Sequence, residues 1–458
     1  MEDTIESLKK IVGDDWVISK KEQMESYLSD ETSTSVKPFA ADNCILVKPE
    51  NSEQISKIMK LANEKKIPVY PRGGGTGLVG GAVPTKKGII LSMERLDNIE
   101  IDKENLMAVV RAGATLGKLL KAADDVGLAF PPHPGDEGAQ IGGLIACNAG
   151  GSRAVKHGVM RNFVKGLEVV LPTGEIVNFG GKLLKDNMGY SLMHLIIGCE
   201  GTLGIITKAI IKLMPKSERT LTLVLPFNTR HEALSTVPII LFKGVVPLAL
   251  EYVEKEVMEK SAEHLGEKWL VEGKVFLIAI FAGSESEVFN EAEKVSKICV
   301  ENGGFEPSIA ERRDEQDAIL KIRSNIYTAL KSDYLDIFDT TVPTSKIGKL
   351  ADFIDSLAEK YSAYIPVYGH AADGNVHSHV MKIDHDNYEK IKIEVYQETM
   401  NLGGVITGEH GIGKIRVKEL YMFTSPKSIE LMMQIKRAFD PNNILNPLTV
   451  ISDRISTH

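Results

Sequence analysis

Pro71-Arg72-Gly73-Gly74-Gly75-Thr76-Gly77-Leu78-Val79-Gly80-Gly81 follows a short apolar run, Ile67-Pro68-Val69-Tyr70, that reads as a strand. Glycines this dense let the backbone turn through positive φ and present consecutive N–H groups. Such a nest suits a pyrophosphate, because the donors point at the anion and no Cβ blocks its approach. The stretch is not a Walker A loop, since no Gly-Lys-Ser/Thr follows, and it lacks the G-x-G-x-x-G spacing of a Rossmann turn. Taken alone, it also fits a flexible surface loop.

Two further clusters change that balance. Pro131-Pro132-His133-Pro134-Gly135-Asp136-Glu137 leads into Ile141-Gly142-Gly143-Leu144-Ile145-Ala146-Cys147-Asn148-Ala149-Gly150-Gly151. Ile197-Gly198-Cys199-Glu200-Gly201-Thr202-Leu203-Gly204-Ile205-Ile206-Thr207 closes the region. Three backbone-rich segments so far apart in the chain suggest one large, elongated ligand touched many times.

The order R-G-G-G-T-G, then I-G-G-x-x-A-x-N-A-G-G, then G-x-E-G-T-L-G-I-I-T resembles the FAD-binding oxidoreductases of the vanillyl-alcohol oxidase type. Within them it is similar to the branch of D-lactate dehydrogenase, D-2-hydroxyglutarate dehydrogenase and the D-type subunit of glycolate oxidase, from about Pro38 to the C-terminus. The resemblance implies an α+β protein. It would hold a PCMH-type, two-subdomain FAD-binding domain at 1–217 (core 36–217), an α+β, ferredoxin-like substrate cap at 218–403, and a C-terminal helical segment at 404–458 that returns to the FAD domain. It implies cofactor contacts from Arg72, Gly73, Gly74, Gly75, Thr76 and Gly77 in the first segment. Pro134, Gly135, Asp136, Gln140, Gly142, Gly143, Ala146, Asn148, Ala149, Gly150 and Gly151 would follow in the second, and Glu200, Gly204, Ile205 and Ile206 in the third. Members with covalent flavin often read R-G-x-G-H in the first loop; Thr76-Gly77 stands here, so non-covalent FAD is expected.

Composition sets the outer bounds. The chain's 458 residues give room for two or three domains at ~150 residues each. With 43% hydrophobic and 25% charged residues it is globular, and a net charge of −8 argues against a nucleic-acid partner. The N-terminus, Met1-Glu2-Asp3-Thr4-Ile5-Glu6, begins no apolar run, so no signal peptide is expected. No run is long and apolar enough to suggest a spanning helix, so a cytoplasmic protein is expected. Cys44, Cys147, Cys199 and Cys299 form no C-x-x-C pair, which excludes a self-contained iron–sulfur site on this chain and suggests reduced thiols. Electrons from a reduced flavin would have to leave through another molecule.

Along the chain, residues 1–30 read as a helical lead through Ile5, Leu8 and Ile11-Val12. Ser52 reads as the cap of a helix through Ile55, Ile58, Met59 and Leu61. Ile89-Ile90-Leu91 and Met107–Arg111 read as strands, and Thr115 as a helix start. Pro172-Thr173-Gly174 reads as a hairpin turn. Beyond Pro215 the texture changes: Thr220–Leu225 alternates like an antiparallel strand and Phe276–Phe281 is a strong strand before a helix at 285–302. This order fits an α+β substrate domain.

Chemistry concentrates in Gly369-His370-Ala371-Ala372-Asp373-Gly374-Asn375-Val376-His377-Ser378-His379 and in Thr407-Gly408-Glu409-His410-Gly411-Ile412-Gly413. Imidazole and carboxylate suit a divalent transition metal, and His370 and His377 flank a Gly-Asn turn that could fold both rings toward one point. Spacing alone leaves a second reading open, in which these histidines bond locally in the turn. The resemblance implies the metal: the matching two histidines and glutamate bind a divalent ion in the D-2-hydroxyglutarate dehydrogenase branch, so His370, His377 and Glu409 are the expected ligands. Iron(II) and zinc both fit such a set. His410 matches a proposed general base, and His379 stands at a substrate-contacting asparagine.

Oxidising a 2-hydroxy acid removes the Cα hydrogen as hydride and the hydroxyl hydrogen as a proton. A metal lowers the hydroxyl pKa, and a histidine titrating near neutrality can take the proton. A carboxylate needs a cation, and Leu320-Lys321-Ile322-Arg323 resembles the family's W/L-x-x-R segment, which makes Arg323 the expected grip. A solvated helix charge is the plainer reading of the same arginine. In 2-hydroxyglutarate enzymes a threonine follows four residues on and a lysine precedes Tyr-Asp. Here Tyr327 and Ile337-Phe338-Asp339 hold those places, which favours a monocarboxylate such as D-lactate or glycolate.

P-G-D-E-G-A-x-I-G-G at 134–143, followed by N-A-G-G-S-R-A-V-K-H-G, resembles the flavoprotein subunit of electron-bifurcating lactate dehydrogenases, which pair with an electron-transferring flavoprotein. Gln140 stands where threonine is more usual. A quinone or a cluster-bearing subunit fits the missing cysteines equally well. Oligomeric state is not legible; a homodimer is one candidate. The competing readings are glycolate or D-2-hydroxyglutarate oxidation, a metal-independent flavin oxidoreductase of the same superfamily, and a non-enzymatic subunit with a decayed pocket.

Overall fold

The computed structural model describes residues 2–452; Met1 and 453–458, which the boundaries above include, lie outside the described residues. The chain divides into two compact units. The first comprises Met1–Ala149, Val159–Lys216 and Glu409–His458; the second comprises Gly150–Gly158 and Ser217–Gly408.

The first unit carries two main sheets. A four-stranded sheet runs Val17–Ile18, Ile45–Val47, Ile89–Ser92, Val69–Arg72, with parallel pairing among the last three strands. Helix Ser52–Lys65 buries Ile55, Ile58, Met59 and Ala62, a spacing that makes one apolar stripe, against this sheet's core. Its cap is Asn51, whose side chain accepts from Gln54 N, and not Ser52. The Ser52 hydroxyl instead donates to Glu168 at 2.6 Å. The N-terminal lead is also shorter than read: the helix Glu2–Val12 stops at Gly13, whose φ of 92° no L side chain favours, and short 3-10 turns follow.

A five-stranded antiparallel sheet runs Ile99–Asp102, Met107–Arg111, Ile205–Lys212, Val164–Val170, Ile176–Gly180. The hairpin at Pro172-Thr173-Gly174 forms as read, with Gly174 at φ 95°. Thr115 caps the helix Leu116–Asp124. Between its strands and helices lie Val110, Leu119, Ile141, Ile145, Met160 and Ile206.

The second unit is built on one seven-stranded antiparallel sheet. Its order is Ser308–Ala310, Arg219–Phe227, Val275–Gly283, Ala249–Glu254, Val367–His370, Asn375–Met381, Tyr334–Thr341. Thr220–Leu225 alternates in sequence, yet every residue from Leu221 to Phe227 is buried. Val224 packs with Met258 and Ile322, while helices Arg230–Phe242 and Glu285–Glu301 also meet the strand, so both faces are covered. The histidine turn becomes a hairpin whose strands pair Tyr368 with His377 and His370 with Asn375.

Candidate active site

In the first unit, the glycine loop has Gly75 and Gly80 at φ 75° and 72°. A Cβ on Gly73 would meet Gln140 Cβ at 3.5 Å and Gly143 Cα at 3.7 Å, so the first two motifs lie against each other. The buried Gln140 Oε1 has no hydrogen-bond partner among the described residues. A Cβ on Gly143 or on Gly77 would meet nothing within 4 Å. An unsatisfied buried amide beside open glycine backbone is what a polar, elongated cofactor would complete, so these residues fit FAD. Pro134 leads into a turn with Gly135 at φ 79°, where Asp136 accepts from Gly138 N at 2.7 Å.

Several residues expected at the cofactor have other work. Arg72 is 6% exposed, and its guanidinium donates to the Ser26 and Ser29 carbonyls at 2.8 Å each, so it anchors the N-terminal segment. Gly142 lies on the sheet: a Cβ there would come within 2.7 Å of Ala112 Cβ. Gly204 is a close-packing glycine, 2.5 Å from Val169 Cγ1 by the same construction. Ile205 and Ile206 sit in the cores. Asn148 adopts φ 49° and accepts from Arg161 N at 3.0 Å, while Ala146 and Ala149 offer their carbonyls to Glu200 N and Met160 N. The Glu200 carboxylate accepts from Ile412 N and Gly413 N. Gly150 and Gly151 fall in the second unit, where Gly151 O caps the short helix Ala154–His157. Sequence reading missed Lys414, whose amine donates to Gly81 O at 2.9 Å and Asn446 Oδ1 at 3.0 Å. Burial pushes that amine down to about 7. Glu409 and His410 lie side by side, 3.9 Å apart, both partly exposed.

In the second unit, strand register assembles the chemistry. Glu251 pairs with His370, His370 with Asn375, Tyr368 with His377, and His377 with Asp339. Residues opposite one another across a sheet share a face, so all these side chains meet. The His370 and His377 rings stand perpendicular with centroids 5.3 Å apart. His370 Nδ1 meets Glu251 at 2.7 Å, so the carboxylate orients the imidazole ring. A carboxylate behind a ligating imidazole is the usual support of a metal-binding histidine. Asp339 lies 3.5 Å from His377 Nδ1, and both are among the groups whose placement suits a metal ion. His370 lies outside that group, so the donors here that fit a divalent cation are His377 and Asp339.

Asp339 also holds the approach to Glu409. It accepts from Thr407 Oγ1 at 3.1 Å and from Gly408 N at 3.0 Å, the two residues just before Glu409 in the chain. Asn375 Nδ2 donates to Asp339 at 2.7 Å.

Arg323 ion-pairs with Glu251 through Nη2. Its buried Nε has no partner among the described residues, and its guanidinium lies 5.1 Å from the Tyr368 ring. Burial alone would raise Glu251; the charges of Arg323 and His370 outweigh it and hold the carboxyl at about 2. His379, expected to touch substrate, is fully buried. Its Nε2 bonds the Tyr368 hydroxyl at 2.9 Å, and Tyr334 and Tyr327 pack at 5.6 and 6.2 Å between centroids. That burial makes it a support for Tyr368 in this structure. Sequence reading missed Glu251, Asp339 and Tyr368. The available signal for Glu251 was a charge inside the apolar run Pro247-Leu248-Ala249-Leu250-Glu251-Tyr252.

Comparison with known proteins places the chain in a family. Residues 216–450 match the family described as FAD linked oxidases, C-terminal domain, and residues 44–180 match the FAD binding domain. A D-lactate dehydrogenase of Archaeoglobus fulgidus is 46% identical over 93% of this chain and 96% of its own. Glycolate oxidase subunit GlcD of Bacillus subtilis is 36% identical over 88% of this chain and 87% of its own. The fold is that of 4-ethylphenol oxidase from Gulosibacter chungangensis, with TM-score 0.79 at 16% identity, covering 99% of this chain and 98% of that one. Among the described residues no helix is long and apolar enough to cross a membrane. With a matching model over half its length and a relative this similar over nearly all of it, the chain belongs to the FAD-linked oxidases and is a flavin-dependent oxidoreductase.

Proposed function

We propose that this FAD-dependent hydroxy acid dehydrogenase oxidises a small monocarboxylic 2-hydroxy acid, D-lactate before glycolate, to the 2-oxo acid with the help of a divalent metal. The observation that carries the metal is the His370–His377 pair on one sheet face, with Glu251 behind His370 Nδ1. His370, His377 and Glu409 would hold the ion, with Asp339 beside His377. When bound, FAD supplies the oxidant for the Cα–H bond and the ion lowers the pKa of the substrate hydroxyl. His410 takes the hydroxyl proton, a step a positioned histidine speeds by about 10²–10⁴-fold. Arg323 Nε, buried without a partner among the described residues, offers a charged donor to the substrate carboxylate. Tyr368 lies against that guanidinium, and His379 holds the Tyr368 hydroxyl.

Two features support a monocarboxylate. Ile337, at the place of the lysine, is buried and apolar, and Tyr327 packs toward His379, so neither position offers a cation to a second carboxylate. The relative of Archaeoglobus fulgidus carries the name D-lactate dehydrogenase. FAD is held without a covalent bond. Electrons pass to an electron-transferring flavoprotein, a reading supported by P-G-D-E-G-A-x-I-G-G and by four cysteines that make no cluster set.

The test is a steady-state ranking of D-lactate, L-lactate, glycolate and D-2-hydroxyglutarate with an artificial dye acceptor. D-lactate should give the highest kcat/KM. A ranking led by D-2-hydroxyglutarate would overturn the monocarboxylate assignment.

A further inference from the structure

The loop that carries Glu409 and His410 needs an anchor, and the first unit supplies one. Gly411 and Gly413 adopt φ 88° and 53°, so this backbone is turned into the left-handed region twice within three residues. The turned N–H groups of Ile412 and Gly413 point at one carboxylate, that of Glu200, at 2.8 and 2.7 Å. A Cβ on Gly411 would come within 2.8 Å of Glu200 Oε1, so loop and carboxylate are in close contact. The same loop is tied to the glycine stretch: Lys414 N donates to Val79 O at 2.9 Å and Lys414 Nζ to Gly81 O. Asn446 Nδ2 joins the Gly81 and Glu200 carbonyls at 3.1 and 2.9 Å. Glu200 itself sits at φ 51°, which is costly for a residue with a Cβ. A glycine would be cheaper there unless the side chain were needed.

We infer that Glu200 is a positioning residue: its carboxylate clasps the Ile412 and Gly413 amides and so fixes the loop bearing Glu409 and His410 against the flavin cradle. This rests on the reading of Glu409 and His410 given above. It differs from the sequence expectation that Glu200 touches the cofactor. A cofactor contact would change how much FAD the protein holds. A clasp changes how fast each bound flavin is reduced and how well two amides are protected.

The experiment uses purified holoenzyme of wild type, Glu200→Ala and Glu200→Gln. Flavin content per chain, amide hydrogen exchange across 409–415, and the rate and substrate dependence of flavin reduction by D-lactate are measured on each. The clasp predicts unchanged flavin content for Glu200→Ala and exchange at Ile412 and Gly413 faster by about tenfold or more. It also predicts a kcat lower by about 10–100-fold with KM little changed. Glu200→Gln keeps one acceptor oxygen and should fall between, and it carries the comparison if Glu200→Ala does not fold. Loss of flavin with an unchanged rate per bound flavin would overturn the inference, as would unchanged exchange at the two amides. If no hydroxy acid reduces even the wild type, the functional reading fails, while the exchange arm still decides the clasp.

Discussion

His370 bonds Glu251 through Nδ1, so Glu251 sets both the tautomer and the direction of its ring. Replacing Glu251 by glutamine keeps the shape and removes the charge. Metal affinity should fall by about 10–100-fold, read as the metal concentration needed to restore turnover. Turnover at saturating metal should recover most of the wild-type value. A loss that no metal concentration restores would place Glu251 in substrate binding through Arg323 instead. A second carboxylate tests the energetics away from the chemistry. Glu168 is largely buried and bonds Lys208 at 2.9 Å, Ser52 at 2.6 Å and Thr207 at 2.8 Å. Burial raises its pKa, but these partners outweigh burial and leave it below the usual value. A depressed carboxyl contributes stability above its unfolded pKa and loses it as pH falls through the folded one. Glu168→Gln should therefore lower stability at pH 7 by roughly 2 kcal/mol. That gap should close as pH drops below 4. A gap independent of pH, in denaturant melts across that range, would contradict it.

Helices and strands decide which residues could be read in advance. The stripe Ile55, Ile58, Met59, Ala62 and the hairpin at Gly174 were legible because period and turn chemistry are local. His370, His377 and Glu409 stood out as candidates because each lies in a short local motif. Glu251 and Asp339 did not, because strand register brings them to those histidines from distant parts of the chain. Glycine density was legible too, but it did not separate glycines that face open space from glycines that face a neighbour. Gly142 and Gly143, adjacent in the helix Ile141–Ala146, differ on that point. Gly142→Ala forces a methyl to 2.7 Å from Ala112 Cβ, and such overpacking should cost about 1–3 kcal/mol. Gly143→Val projects into open space, so the apoprotein should keep its stability while FAD binding is lost. Thermal melts of both apoproteins, with flavin content after reconstitution, check the pair. Equal destabilisation by the two substitutions would show that both glycines serve packing alone.

The chain is a flavin-dependent oxidoreductase whose sequence holds no C-x-x-C pair for an iron–sulfur cluster. Its four cysteines are free thiols, with Cys44, Cys199 and Cys299 buried. The account therefore requires a second redox protein or a diffusible acceptor. Mixed with an electron-transferring flavoprotein, substrate-reduced enzyme should reoxidise faster than with a quinone analogue. The reverse order, by stopped-flow absorbance, would assign a quinone as the acceptor. The central claim is that this chain oxidises a hydroxy acid at a flavin with metal assistance. The most direct measurement is anaerobic addition of D-lactate to the purified holoenzyme while flavin absorbance is followed, before chelation, after chelation, and after iron(II) or zinc is returned. The account predicts bleaching that a chelator abolishes and one of the metals restores. Bleaching that persists in metal-free protein would contradict the metal site, and no bleaching at all by D-lactate or glycolate, with the flavin still reducible by dithionite, would contradict the monocarboxylate assignment.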